Sequence, residues 1–445
     1  MIAALIIIFL VGYIFIASEH ALAINKASVA IIMCGLLWGV YAVCSHDPLL
    51  SSNTIEALGD TCEIVVFLIG AMTIVELIDR YGGFRLIVDN IKATNKRSLM
   101  WMMAFISFFL SAILDNMTTT IIMVMVLSKL LREQKERWLF ASIIVIAANA
   151  GGAWSPIGDI TTIMLWMKNC VTSVDLIVNL ILPSIVSVVV PLFVAMSMVK
   201  SEPLMQVTHE GYRTGYDLYQ NHRNISLLIL TCGIAGLLFV PVFKALTHLA
   251  PYLGILFSLG CLWVLTEIVV KNYKLDGKMD GRISHIVRHI DLSTILFFLG
   301  ILMSVAALGQ AGILESLAIW LNETFHNVYI INGIIGILSS IVDNVPLVAA
   351  CMDMYPVIDQ TAVMTSLDPV YSSYFVQDGL FWHLLTFCAG VGGSMLIIGS
   401  AAGVVAMGIE KIPFMWYMKR ITLMALSGYL SGMAFIWLET FFFNF

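Results

Sequence analysis

Apolar runs of about 20 residues recur from one end of this chain to the other, the length a helix needs to cross a bilayer. In lipid each backbone N–H and C=O must be satisfied inside the protein, so continuous apolar runs leave helices as the spanning structure. A transmembrane barrel is excluded because its strands alternate polar and apolar residues over short segments. Of the 445 residues 60% are hydrophobic and 12% charged, with mean hydropathy +0.94. No soluble core buries so large an apolar share, and the expected fold class is an all-α polytopic membrane protein. The first run, residues 1–17, lacks a basic leader and a small-residue cleavage site, which points to a retained span. The eight cysteines form no CxxC pair and lie mostly in apolar runs, so they read as packing residues. A net charge of −6 with no basic stripe excludes nucleic acid as a partner; the lipid bilayer is the partner composition demands.

Length places full spans at 1–18, 25–44, 61–79, 138–168, 176–199, 225–247, 252–270, 291–309, 379–409 and 421–441. Two further apolar segments, 98–131 and 328–355, are each interrupted by an Asp-Asn pair, Asp115-Asn116 and Asp343-Asn344. Each is too long for one straight span and too short for two, so each predicts a re-entrant helix hairpin with the pair at its tip. Spans 138–168 and 379–409 carry the glycine-rich breaks GGAWSPIG and GGSMLIIG and are expected to be broken helices.

Loop charge sets the expected sidedness. Basic residues cluster at Arg80, Arg85, Lys92, Lys96 and Arg97, at Lys129, Arg132, Lys135 and Arg137, at Lys271, Lys274, Lys278, Arg282 and Arg288, and at Lys411, Lys419 and Arg420. These loops belong in the cytoplasm by the positive-inside rule. The connection bearing Asp353, Asp359, Asp368 and Asp378 has no Lys or Arg and belongs outside. Ten crossings with two re-entrant hairpins satisfy all of these placements, with both termini outside. The first hairpin then enters from the cytoplasm and the second from the opposite side.

Three blocks repeat in the same order. VVFLIGAMTIVELIDRYGGF (65–84) resembles TILFFLGILMSVAALGQAGIL (294–314), SAILDN (111–116) resembles SSIVDN (339–344), and GGAWSPIGDITT (151–162) resembles GGSMLIIGSAAG (392–403). The topology makes the halves antiparallel. The expected organisation is two inverted repeats, 1–200 and 225–445, each with five spans including one broken helix plus one re-entrant hairpin, joined by a cytoplasmic connector at 201–224. Inverted repeats with broken helices meeting at the midplane are the build of secondary transporters.

The breaks carry the chemistry. A carboxylate at membrane depth is costly, about 2.5–3.5 kcal/mol even on mild insertion scales, unless it is protonated, paired or holding a cation. The first tip supplies Asp115, Asn116, Thr118, Thr119 and Thr120. The first broken helix adds Asn149, Ser155, Asp159, Thr161 and Thr162, and the second tip adds Asp343 and Asn344. These are hard oxygen ligands suited to Na⁺ or Li⁺, with no thiolate or imidazole cluster for a transition metal. No Lys or Arg falls at the breaks, which argues against an anionic cargo. Three carboxylates in low dielectric repel one another, so the site takes up a proton or Na⁺, and that competition couples the two fluxes. Asp159 aligns with Ser400, so the expected carriers are Asp115 and Asp159, with Asp343 as third member. No cofactor is expected, and an enzyme is not.

Plainer roles exist for each residue. The Asp-Asn pairs and Asp159 can cap half-helices, and the threonines can bond back to their own helices. Glu63 and Glu76 bracket one span, where either an interface position or an accessory role fits. His20, His46, His285 and His289 sit in loops, whereas His383 enters the second broken span and is the better candidate for an accessory, pH-sensing role.

SAILDNMTTT, NAGGAWSPIGDITTIMLW and FLIGAMTIVELIDRYGGF resemble the NhaD-type Na⁺/H⁺ antiporters of the ion transporter superfamily, over nearly the whole chain. The resemblance implies a bacterial inner-membrane protein that exports Na⁺ or Li⁺ against protons, most active at alkaline pH. It also implies an elevator-type motion, commonly within a homodimer. The family pattern falls on Asp115, Asn116, Thr118, Ser155, Asp159, Asp343 and Asn344. Sodium-dicarboxylate members of the superfamily place Ser-Asn-Thr at their tips; Asp in that position suits a cation. Arsenite efflux permeases are a nearer rival, and the SPIGD block favours the antiporter. An intramembrane aspartyl protease is the remote alternative, but Pro156-Ile157-Gly158-Asp159 departs from Gly-x-Gly-Asp and proteolysis needs no inverted repeat.

Overall fold

A computed structural model of the chain describes residues 1–17, 22, 24–45, 48–84, 93–131, 133–199, 223–272, 291–341, 343–366 and 368–443. Nearly all of the 201–224 connector lies outside the described residues. So do Arg85, Lys92, Arg132, Lys274, Lys278, Arg282, Arg288 and the loop histidines His20, His46, His285 and His289. The described residues form helices and no strand.

In chain order the helices are α1 (Ile2–Ala17), α2 (Lys26–Ser45), α3 (Leu50–Arg80), α4 (Lys96–Leu114), α5 (Asn116–Leu130), α6 (Gln134–Ala153) and α7 (Ile160–Met167). There follow α8 (Ser173–Met198), α9 (Arg223–Thr247), α10 (Pro251–Asn272), α11 (Leu292–Gln310), α12 (Ile313–Phe325), α13 (Val328–Ser339) and α14 (Asn344–Met354). The last six are α15 (Gln360–Thr365), α16 (Pro369–Ser373), α17 (Leu380–Gly392), α18 (Ala401–Glu410), α19 (Phe414–Arg420) and α20 (Thr422–Phe443). Seven of these helices are long and apolar enough to cross a membrane, or eight if α19 and α20, bent by 51° at their junction, make one span. The chain is a multi-pass membrane protein.

Helices stop and restart between α4 and α5, α6 and α7, α13 and α14, and α17 and α18. Other boundaries differ. α3 has 31 residues, about 46 Å, and begins eleven residues before the expected 61. Its extra turns hold partners beyond the apolar layer: Asn53 Nδ2 donates to Gln310 Oε1 at 3.2 Å, and Asp60 pairs with Lys168. α12 and α19 are absent from the expected set because neither reaches spanning length.

The chain directions follow from contacts at the two faces. Lys96 Nζ, at the start of α4, lies 2.6 Å from Glu136 Oε1 at the start of α6. Arg137 Nη1 donates to Leu131 O, just past the end of α5, at 3.2 Å. So α4 enters and α5 returns to one face, called here face I. α18 ends on that face, since Arg137 Nε lies 2.8 Å from Glu410 Oε2 and Trp138 Nε1 donates to Glu410 O at 3.0 Å. At the other side, face II, the end of α7 meets the start of α17: Asp378 N donates to Cys170 O at 2.9 Å and Thr172 N to Asp378 Oδ1 at 2.5 Å. The broken helices α6–α7 and α17–α18 therefore run in opposite directions.

Equivalent contacts recur at matched positions. Ser111 Oγ donates to Ala148 O at 2.6 Å, and Ser339 Oγ donates to Ala389 O at 2.7 Å. A Cβ on Gly151 would lie 2.1 Å from Phe108 O, and one on Gly392 would lie 2.2 Å from Gly336 O. The hairpin arm thus packs backbone to backbone on the broken helix in both halves, an approach only glycine permits. Gly82 and Gly312, aligned in the first block, share a φ of 71°.

Packing divides the helices into two bodies. α1, α2, α3, α9, α10 and α11 pack on one another, while α4 to α8, α13, α17, α18 and α20 form the second set. α14 lies between them, against α11 and α12 on one side and α7 and α17 on the other.

Candidate functional site

The breaks in α6–α7 (residues 154–159) and α17–α18 (393–400) meet the two hairpin tips in the second body. Pro156 and Gly158 follow the last turn of α6, and Pro lacks the N–H a continuing helix would use. Asp159 then restarts the chain as N-cap of α7: its Oδ1 accepts from Thr161 N and Thr161 Oγ1, each at 3.0 Å. Its Oδ2 accepts from Asn116 Nδ2 at 2.8 Å and from Asn344 Nδ2 at 3.4 Å. One carboxylate, 2% exposed, therefore receives four neutral donors, two of them from the tips of opposite hairpins.

Asn116 Nδ2 also lies 3.1 Å from Asn149 Oδ1. Asn149, fully buried on α6, donates to Ser394 Oγ at 3.0 Å and Ser400 Oγ at 2.8 Å in the second break. Ser400 caps α18 by accepting from Gly403 N at 3.2 Å, the place Asp159 takes at α7. Ser394 was not among the residues singled out by sequence; its place inside the GGSMLIIG break was the available signal.

Asp115 and Asp343 cap their own hairpin arms and make no hydrogen bond to Asp159. Asp115 accepts Thr118 N at 2.7 Å and Thr118 Oγ1 at 2.8 Å. Its backbone, at φ 112° and ψ 160°, is in a region that costs a non-glycine residue about 1–3 kcal/mol. The turn before it is pinned, because Ser155 Oγ donates to Ala112 O at 2.5 Å. Asp343 has an ordinary backbone and accepts Val345 N at 3.3 Å. The charges of both still act on Asp159.

One expectation is overturned here. A lysine does reach a break: Lys26, the first residue of α2, places Nζ 3.6 Å from Asp343 Oδ2. It is separated from the tip by more than 300 residues of sequence, so no local pattern announces it.

Other candidates take various places. Thr119 and Thr120 are buried with hydroxyls that bond nothing among the described residues, whereas Thr162 Oγ1 bonds back to Gly152 O at 3.3 Å. Glu63 is exposed, and Glu76 pairs with Arg80 one turn along α3 at 2.8 Å; no contact joins either to the Asp159 cluster. His383 is buried with Nε2 2.7 Å from Asp175 Oδ2, out of line for a hydrogen bond, beside Asp378. It lies ten residues before Gly393, about 15 Å along the helix from the break.

A cavity of about 340 Å³ opens between the two bodies near face II. Glu56, Asp60 and Lys168 line it with Asp353, and Met164 and Ala349 lie at its inner end. Those two residues are each five positions along their helices from Asp159 and Asn344, about 7.5 Å.

Residues 13–376 match the family model described as citrate transporter. Sodium/proton antiporter 1 of Arabidopsis thaliana is 42% identical over 437 residues, covering 97% of this chain and 71% of that protein. Sodium/proton antiporter 2 of the same plant is 41% identical over 433 residues, covering 96% and 97%. The Na(+)/H(+) antiporter NhaD of Vibrio cholerae is 30% identical over 460 residues, covering 96% and 89%.

Proposed function

The chain belongs to the citrate transporter family and within it is an NhaD-type transporter, and from that premise we propose that it exchanges Na⁺ or Li⁺ for protons at Asp159. The observation that carries this reading is the single buried carboxylate on which the tip asparagines of both hairpins converge. Asp159 is solvated by four neutral donors, so it can hold its charge long enough to accept either a proton or Na⁺. On Na⁺ loading, Asn116 and Asn344 turn their amide oxygens toward the ion. The unpartnered hydroxyls of Thr119 and Thr120 add further oxygens, and Asp115 and Asp343 supply negative field. Ser155 holds the first tip against the break.

The two-body packing supports an elevator motion, in which the body carrying the site slides past α1, α2, α3, α9, α10 and α11. The face II cavity supports access from that side. The opposed broken helices and recurrent contacts support inverted repeats over 1–200 and 225–445; a homodimer is the assembly the resemblance implies. By the basic loops, face I is cytoplasmic and both termini lie outside; the similarity to the Vibrio cholerae protein favours a bacterial cytoplasmic membrane.

The family description favours a second reading, citrate transport. Asp115 and Asp159 at the breaks oppose it, since each repels a tricarboxylate. Proteoliposome exchange with Na⁺, Li⁺, K⁺ and citrate, across pH and with membrane potential monitored, separates the readings. Na⁺-driven proton movement is expected; citrate uptake without it would overturn the proposal.

A further inference from the structure

We propose that Lys26 is a tethered cation that neutralises Asp343 while the site is empty of Na⁺, and that Na⁺ loading displaces it. The inference rests on the Na⁺/H⁺ reading above.

Asp343 accepts the fewest hydrogen bonds of the three aspartates among the described residues. Asp159 receives four donors and Asp115 two from Thr118, whereas Asp343 receives one long bond from Val345 N. The Lys26 ammonium makes up the difference at 3.6 Å, with the two side chains only 25% and 18% exposed. A monovalent ammonium and Na⁺ offer a carboxylate the same charge. Exchanging one for the other keeps the tip neutral in both states, and a half-buried carboxylate is never left without a counter-charge.

The lysine has a second hold besides Asp343. In the same conformation its Nζ sits 4.4 Å from the centroid of the Phe297 ring, whose face attracts a cation. The 3.6 Å separation from Asp343 is beyond hydrogen-bond length, so attraction between the charges holds this contact. Lys26 itself is anchored on the first body: Asn25 Oδ1 accepts Ala27 N at 2.8 Å and Ser293 Oγ at 2.9 Å, fastening the start of α2 to α11. Asp343 belongs to the hairpin that packs with the site. Asp343 also caps α14, which packs on both bodies, so the ion pair lies at the boundary between them and its state reports occupancy there. Among the described residues, the fields of Tyr13 on α1 and of Asp159 at the N-cap of α7 also meet Asp343.

Lys26 acts here as a positioning residue, and its signature is a split between affinity and rate. Lys26→Gln removes the competitor, so the KM for Na⁺ falls by roughly tenfold, the effect of one charge a few ångström away at an effective dielectric between protein and water. Maximal exchange falls as well, because the empty carrier returns with Asp343 uncompensated. Lys26→Arg restores both. An unchanged or raised KM in a well-folded Lys26→Gln protein would overturn the proposal. The wild-type protein gives an independent readout: amine-reactive labelling followed by peptide mass spectrometry should show Lys26 modified more in Na⁺ than in choline. Equal labelling, or protection by Na⁺, would overturn it too. Absence of any Na⁺/H⁺ exchange by the wild type would instead remove the underlying reading.

Discussion

Asp159→Asn keeps the shape of the site and removes its charge, which makes it the sharpest perturbation available. The substituted amide has two orientations. With its NH₂ toward Asn116 and Asn344 it sets donor against donor twice; turned over, it sets NH₂ against the Thr161 N–H and loses the cap of α7. The second is the milder, and a lost N-cap with one opposed donor costs about 1–3 kcal/mol, so the protein should fold with a lowered melting temperature. The effect on the ion is larger. Removing a unit charge about 4 Å from Na⁺ takes away about 4 kcal/mol at an effective dielectric near 20, close to a thousandfold in affinity. The assay is Na⁺-dependent collapse of a preformed pH gradient in everted vesicles, read with a fluorescent amine over a wide Na⁺ range. Exchange should vanish at every Na⁺ concentration that saturates the wild type. A half-saturating Na⁺ within threefold of wild type would refute the assignment of Asp159 as the carrier.

Asp115→Asn is expected to abolish exchange in the same assay, since its field acts on Asp159 and its carboxylate holds the strained tip through Thr118. Gly151→Ala forces a methyl to 2.1 Å from Phe108 O, which only backbone movement can relieve; a loss of about 1–3 kcal/mol or more should appear as poor yield or a lowered melting temperature. Arg137→Ala leaves Glu410, 3% exposed, without its partner, a loss of about 3–5 kcal/mol that Glu410→Gln in the same protein should partly recover in thermal melts. In the face II connection, the Tyr371 N–H and the neighbouring His326 hold the Asp368 carboxyl below the usual carboxylate range. A depressed value means its contribution is present above the ordinary range and fades as pH falls through the lowered one. Asp368→Asn should therefore lose less stability than wild type between about pH 5 and pH 3 in acid unfolding.

The four places where helices stop and restart were legible because each depends on short-range pattern: run length, a polar pair inside it, glycine spacing. α12 was not, because thirteen residues fall below the spanning length on which the count relied. The site was half legible. Buried Asp, Asn and Thr announce themselves in an apolar run by what they cost there, and Asp159 was singled out as the acidic member without a counterpart in the repeat.

What the sequence by itself determined is where the chain must break and which polar groups sit at the breaks, since lipid tolerates neither unsatisfied backbone nor unpaired charge. Only the tertiary structure decided what those groups touch. Asp115 and Asp343 turn to their own helix ends, Asn116 and Asn344 reach Asp159, Asn149 bridges to Ser394 and Ser400, and Lys26 finds Asp343. The physical reason is reach: breaks and caps are set within a few residues, whereas these partners come together only when helices distant in sequence pack side by side.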